Sequence, residues 1–273
     1  MKKALISLFA MAFLLVSAPV FAGSIELAKQ STIESILKNN QIRVGFEAGY
    51  FPFEMTTKDG KFIGFDVDLA KALAKSMGVE LVLVNTDWAG IIPALVTDKI
   101  DIILGGMTIT QERNLKVNFC DPYIVIGQAV LLNKKHEGKV TSYKDLNNAK
   151  YTIVSRLATT GEEAIKRMLP KATYKSYEGQ VEAAMEVIQG NADAMVYDLP
   201  FIEKTQALHG KGKTVTLSEP FTYEPLAIAI RKGDPDFLNF LNNFQRQYKG
   251  DGRWQRSYNK WFKSTDWFDK VAD

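Results

Sequence analysis

Two long apolar segments interrupt an otherwise regular chain. Tyr123 to Leu132 and Phe221 to Ile230 are each about twice the length that one strand of a small sheet needs. Around them, short apolar runs alternate with helical patterns. Gln41 to Glu47, Leu81 to Val84 and Ile100 to Leu104 read as strands, as do Tyr151 to Val154 and Ala192 to Tyr197. Between them, Val67, Ala70, Leu73, Ala74 and Met77 repeat at three- and four-residue spacing and end at Gly78, the mark of a helix with a glycine cap. Strand and helix alternate in two blocks, so the expected class is α/β with mostly parallel sheets. Two lobes follow, one of them inserted at roughly Gln128 to Phe221, with the extended stretches near Tyr123–Gln128 and Phe221–Leu226 as the crossovers. Neither crossover carries a Gly/Pro-rich linker, which favours a hinge over a free tether.

Ligands of open α/β sheets bind beyond the carboxyl ends of the strands. Loops at Glu47–Phe53, Trp88, Gly105–Arg113, Arg156–Gly161 and Asp198 occupy those ends. The richest of them is Gly105-Gly106-Met107-Thr108-Ile109-Thr110-Gln111-Glu112-Arg113. Two glycines permit close backbone approach, Thr110 can cap the short helix that follows, and Arg113 offers a guanidinium fork to a carboxylate. A strand, a glycine turn, hydroxyls and an arginine make a receptor for a small anion.

Other features narrow the function. Lys2 and Lys3, an apolar run from Ala4 to Val16, and Ala18-Pro19-Val20-Phe21-Ala22 form a secretory signal pattern, with cleavage expected before Gly23. The run is shorter than the roughly 20 apolar residues of a membrane span. Net charge is +3 over 273 residues, and +1 after loss of Lys2 and Lys3 (3 − 2 = 1), with no basic cluster of the nucleic-acid-binding kind. The one cysteine, Cys120, stands beside Asp121, which disfavours its thiolate, so it reads as a packing residue. His136 and His209 lie without metal-ligand spacing, so no metal site and no cofactor are expected. Ala207-Leu208-His209-Gly210-Lys211-Gly212-Lys213-Thr214 looks like a relaxed P-loop, but it follows a helix and opens an extended run, the reverse of the nucleotide-binding context.

The chain resembles the periplasmic amino-acid-binding proteins of bacterial ABC importers, solute-binding protein family 3. The resemblance runs through Pro52-Phe53-Glu54, Gly64-Phe65-Asp66-Val67-Asp68-Leu69, Gly90-Ile91-Ile92-Pro93-Ala94-Leu95, Met107 to Arg113, Phe119-Cys120-Asp121-Pro122-Tyr123 and Ala192-Asp193-Ala194. It implies a two-lobed periplasmic-binding-protein fold with two hinge crossovers and a ligand cleft between the lobes. Residues 1–22 are then the signal peptide, 23–125 with 224–273 the first lobe, and 126–223 an inserted second lobe. It further implies that Arg113 takes the ligand α-carboxylate, with Thr108 near it, and that Gly106 offers a backbone contact to the α-amino group. Thr159 and Thr160 open the second-lobe helix toward the carboxylate. Asp198 takes the α-ammonium, and Tyr50 and Trp88 wall the ligand body. Two positions depart from the usual pattern: Ala158 where many members have Gly, and Cys120 where many have Ser.

Glu47 and Arg156 occupy positions that face ligand side chains in relatives. Glu47 alone suggests a basic ligand, Arg156 alone an acidic or amide one, and the two together can pair and leave a neutral polar pocket. The expectation is a polar L-amino acid, with an inner-membrane permease as partner, a monomeric state and periplasmic residence. The rival reading is a dehydratase of the cyclohexadienyl type on the same fold, with Glu47 or Glu203 as the acid or base.

Overall fold

The computed structural model describes residues 31–271. The expected signal peptide and its cleavage site lie outside the described residues. The strands, in chain order, begin with β1 (Gln41–Phe46), β2 (Met55–Thr56), β3 (Phe62–Ile63), β4 (Glu80–Asn85), β5 (Ile102–Ile103), β6 (Asn118–Phe119) and β7 (Ile124–Ile126). They continue with β8 (Gln128–Asn133), β9 (Thr152–Arg156), β10 (Thr173–Tyr177), β11 (Ala194–Asp198), β12 (Thr214–Leu217), β13 (Glu224–Leu226) and β14 (Ala229–Ile230). Two five-stranded sheets form, in the orders β4-β1-β5-β14-β6 and β10-β9-β11-β8-β12, one per lobe.

Four strands of each sheet run in one direction and one runs against them: β14 in the first sheet, β8 in the second. The mostly parallel expectation holds for strand direction, but half of the pairings are antiparallel. The reversed strand is in each case the one arriving from the other lobe. It enters from the hinge, at the carboxyl ends of its neighbours, and so runs opposite to them. The alternation rule counts strands linked through helices and does not cover this entry.

Both long apolar segments are split. The first breaks at Gly127, where an added Cβ would lie 2.5 Å from the Thr222 carbonyl oxygen. The halves before and after the two breaks have different roles. β7 and β13 pair antiparallel as a two-stranded hinge, Ile126 opposite Glu224 and Ile124 opposite Leu226. β8 and β14 then join the two sheets.

Helices Phe65–Met77, Trp88–Val96, Thr160–Met168, Gln180–Gln189, Leu199–Leu208 and Pro235–Gly250 cover the sheets. The first buries Phe65, Leu69, Ala70, Leu73 and Ala74 and stops at Gly78, whose φ of 70° lets its N–H reach the Ala74 carbonyl. Trp88 was expected in a loop before its helix, and the helix begins at Trp88 itself. The core is continuous across the lobes. Phe51 stacks on Phe201 of the second lobe with ring centroids 5.9 Å apart.

Candidate functional site

The strand ends converge on one pocket. All ten residues named from the sequence line it: Glu47, Tyr50, Trp88, Gly106, Thr108, Arg113, Arg156, Thr159, Thr160 and Asp198. Glu54, Gly105 and Tyr197 line it as well. The lobes stand closed across it, and the pocket's free space is about 20 Å³, room for roughly one water.

Arg113 comes from the four-residue helix Gln111–Asn114, whose first turn is capped by the Thr110 hydroxyl accepting from the Arg113 N–H at 3.1 Å. Arg113 is 9% exposed, and its guanidinium donates to the Thr108 carbonyl at 3.0 Å and the Ala158 carbonyl at 3.4 Å. It lies 5.3 Å from the Trp88 ring centroid. It forms no ion pair among the described residues. Burial pulls its pKa below the ordinary guanidinium value, against the opposing pull of Glu163, Glu224 and Asp198. A buried cation held only by neutral acceptors is the group for which an incoming carboxylate gains most.

Asp198 closes β11 in the other lobe. Tyr50 donates its hydroxyl to one carboxylate oxygen, and the Gln128 amide donates to the other at 2.6 Å. Burial is the largest influence on Asp198 and pushes its pKa up to about 7, with Glu224 adding repulsion and Tyr50, Gln128 and Arg113 opposing. A buried carboxyl with neutral donors suits an arriving ammonium as Arg113 suits a carboxylate.

Gly106 sits between these groups. Its φ is 62°, and a Cβ there would lie 2.2 Å from the Tyr50 ring. Its N–H donates to Asp66 at 2.9 Å, so the Gly106 amide is committed to a buried carboxylate rather than free for a ligand; the carbonyl remains. Asp66 also accepts from the Tyr123 hydroxyl at 2.7 Å, and burial raises its pKa to about 7.

In the second lobe, Thr159 caps the helix Thr160–Met168. Ala158, just before it, holds a φ of 58°, a left-handed conformation that costs a residue with a Cβ about 1 kcal/mol. That is the physical reason glycine suits the position. The loop is nonetheless in place: the Ala158 N–H donates to Glu162 at 2.6 Å, and its carbonyl accepts from the Trp88 indole at 2.9 Å. Trp88 thereby joins the two lobes at the cleft.

Glu47 and Arg156 are ion-paired, the last of the three alternatives open from sequence. Arg156 is 5% exposed and also donates to Gln180 at 2.7 Å, while its Nε has no partner among the described residues. Arg156 ends β9 rather than lying in a loop.

Glu54 was quoted in a motif and not assigned to the site. It is 1% exposed, its Oε2 has no hydrogen-bond partner among the described residues, and it stands among Glu47, Asp66 and Arg156. Burial first, then repulsion from Asp66 and Glu47, hold its pKa well above the usual carboxylate range, against Arg156. The one signal in the sequence was an acid between Phe53 and Met55, both of which are fully buried. Glu203, the second acid proposed for catalysis, is exposed on helix Leu199–Leu208 and does not line this pocket. Cys120 is buried, and its thiol is pushed up to about 12 by burial and by Asp121.

Residues 42–264 match the profile of the Bacterial extracellular solute-binding proteins, family 3. The chain belongs to that family. A protein from Wolinella succinogenes, described as a binding component of an ABC transporter and crystallised with lysine, is 52% identical. It covers 85% of this chain and 99% of its own, with a TM-score of 0.83. An ancestral amino acid-binding protein, named as a precursor of cyclohexadienyl dehydratase, is 47% identical with a TM-score of 0.80, over 85% of this chain and all of its own. The L-arginine-binding protein of Pseudomonas aeruginosa is 31% identical over 276 residues, 95% of this chain and 96% of the relative. All three carry the names of binding proteins, and the two-lobed α/β fold is common to the solved structures.

Proposed function

We propose that this family member is the periplasmic binding component of an ABC importer, and that it closes its lobes on one L-amino acid with a cationic side chain. The observation that carries the side-chain class is Glu54. The head group of an amino acid balances Arg113 and Asp198, and Arg156 balances Glu47. Glu54 is left as a buried acid whose Oε2 has no partner among the described residues, and a buried unpaired polar group costs about 1–3 kcal/mol. A ligand ammonium or guanidinium beside Glu47 and Glu54 supplies the missing donor. The expectation of a polar ligand is thus narrowed to a basic one. The lysine complex and the arginine-binding relative support the same class.

On binding, the α-ammonium replaces Tyr50 at Asp198, and the α-carboxylate joins Arg113 near Thr108 and the Thr159–Thr160 helix entry. Trp88 and Tyr50 flank the body. Because the clamp draws on both lobes, ligand favours the closed form by its differential affinity for it. The proposed partition is 23–125 with 224–273 for the first lobe and 126–223 for the second, after export and loss of residues 1–22. The protein works as a monomer, delivers its ligand to an inner-membrane permease and performs no chemistry.

The test is calorimetric titration of refolded, ligand-stripped protein with the common amino acids. Lysine or arginine binding at least tenfold tighter than glutamine or glutamate supports the reading; a preference for glutamate or glutamine refutes the side-chain class. One observation keeps the dehydratase as the second reading: a cleft carboxyl, Asp198, with its pKa near 7. Consumption of prephenate or arogenate in the same panel, with no amino acid bound, would replace the importer reading.

A further inference from the structure

Outside the cleft, a half-open cavity of about 770 Å³ lies against the hinge, within the usual range of small-molecule sites. It shares no lining residue with the amino-acid pocket. Five stretches of the chain form it: the hinge run Pro122–Gly127, the start of helix Leu199–Leu208 from the second lobe, Pro220, Lys249 at the end of helix Pro235–Gly250, and the C-terminal helical segment from Arg253 onward.

One wall is an aromatic ladder. Trp254, Tyr258 and Phe262 recur at four-residue spacing, which places them on one face. Trp254 and Tyr258 stack at 5.0 Å and 10°, Tyr258 and Phe262 at 4.6 Å and 13°. The ladder is fixed to the hinge by the Trp254 indole, which donates to the Tyr123 carbonyl at 3.0 Å.

The other component is charge. Lys204, Lys249 and Lys263 line the cavity with a single acid, Glu203. Lys204 donates to the Phe262 carbonyl at 2.9 Å and Lys249 to the Pro122 carbonyl at 2.8 Å. Lys263 lies 5.7 Å from the Tyr258 ring. None of the three forms an ion pair among the described residues. Each ammonium has three donors, so Lys204 and Lys249 keep two apiece beyond the carbonyl bond. Burial also pulls both below the ordinary lysine value; Glu203 opposes it at Lys204, where Lys263 adds repulsion, and Asp121 opposes it at Lys249. The neighbouring exposed lysine Lys260, by contrast, is paired with Asp68 at 2.8 Å.

We propose that this cavity is a second ligand site, separate from the amino-acid cleft, for a small planar aromatic carboxylate whose ring stacks on the Trp254–Tyr258–Phe262 ladder and whose anion is held by the three lysines. An apolar wall alone would accept any greasy molecule; three unpaired cations around it select an anion. Because the walls come from both lobes and the hinge, any difference in its affinity between lobe orientations is reciprocally linked to amino-acid binding.

The test uses the full mature protein with lysine present at saturation and 1-anilinonaphthalene-8-sulfonate as a fluorescent probe, well below the melting midpoint. Saturation at one probe per protein is expected, with displacement by 2-naphthoate at least tenfold more effective than by uncharged 2-naphthylmethanol. Replacing both exposed lysines (Lys249→Gln with Lys263→Gln) should weaken the probe at least tenfold and leave lysine affinity within twofold. Tyr258→Ala should also weaken it, read on protein whose far-UV spectrum matches the parent. Probe affinity within twofold of the parent in the double-lysine variant, or equal displacement by the alcohol, would overturn the proposal. Neither result bears on the amino-acid clamp, which is read by calorimetry in the same samples.

Discussion

Replacing Arg113 with alanine tests the clamp most directly. The residue is 9% exposed, and among the described residues its guanidinium donates only to two backbone carbonyls and meets no carboxylate within ion-pairing distance. The ligand carboxylate is then its only close anion. Breaking such a buried, hydrogen-bonded charge pair from one side costs about 2–5 kcal/mol, or about 30- to 5000-fold in affinity. The effect is legible in melting temperature. Ligand at a hundred times its dissociation constant adds about 2.7 kcal/mol to the parent, which for a chain of this size is a rise of about 5–11 °C. At the same concentration, a variant weakened a hundredfold stands at its own dissociation constant and gains only about 0.4 kcal/mol, a shift of about 1–2 °C. Arg113→Lys keeps the charge but loses the fork, so it should fall between the two. The assay is differential scanning fluorimetry across a lysine titration, with calorimetry to give the constants. An Arg113→Ala protein that keeps the parent's full ligand-induced shift would refute the reasoning, because no other cation in the pocket is both unpaired and placed for the α-carboxylate.

Three further outcomes are expected. Glu54→Gln preserves shape and removes the acid, so lysine affinity should drop at least tenfold while glutamine binding stays within threefold; equal losses for both ligands would remove Glu54 from the side-chain contact. Asp198 has its pKa raised from 3.8 to about 7 by burial. A raised folded-state value means that protonation favours the ligand-free fold, with that contribution complete below pH 3.8 and lost as pH rises through 7. The ligand ammonium instead needs the ionised form, so affinity should fall below pH 7 by close to tenfold per unit; calorimetry that finds it flat from pH 5 to 8 would sink the assignment. Gly106→Ala puts a Cβ 2.2 Å from the Tyr50 ring at a φ of 62°, and should destabilise the protein by about 1–3 kcal/mol and weaken ligand binding; an unchanged melting curve would contradict the packing described.

Much of this architecture was written locally. Period-two and period-3.6 patterns place most helices and strands, and the glycine after Met77 ends its helix where expected. The two overlong apolar segments imply two lobes because a strand's length is limited by the sheet it joins. What was misjudged was set by long-range partners. The reversed direction of β8 and β14 follows from their entry through the hinge, which no local pattern shows. Trp88 looked like loop because Asp87 and Pro93 hide the helix start from a propensity reading.

The site divides the same way. Arg113 and Thr108 are visible in sequence because they share a strand-end loop whose glycines, hydroxyls and guanidinium make an anion receptor, and Asp198 is visible through the family resemblance. The Glu47–Arg156 pair joins residues 109 positions apart across the cleft, and no local pattern decides whether they meet. Glu54 is a stronger case: its chemistry depends on having no partner, and whether a group is partnered depends on every chain segment that surrounds it. The hinge cavity likewise exists only where segments distant in sequence pack. Sequence by itself determined the order of elements and the charges at their ends, since those depend on neighbours in the chain. The tertiary structure alone decided which charges are paired and which are stranded, because burial and ion pairing are properties of the space between segments.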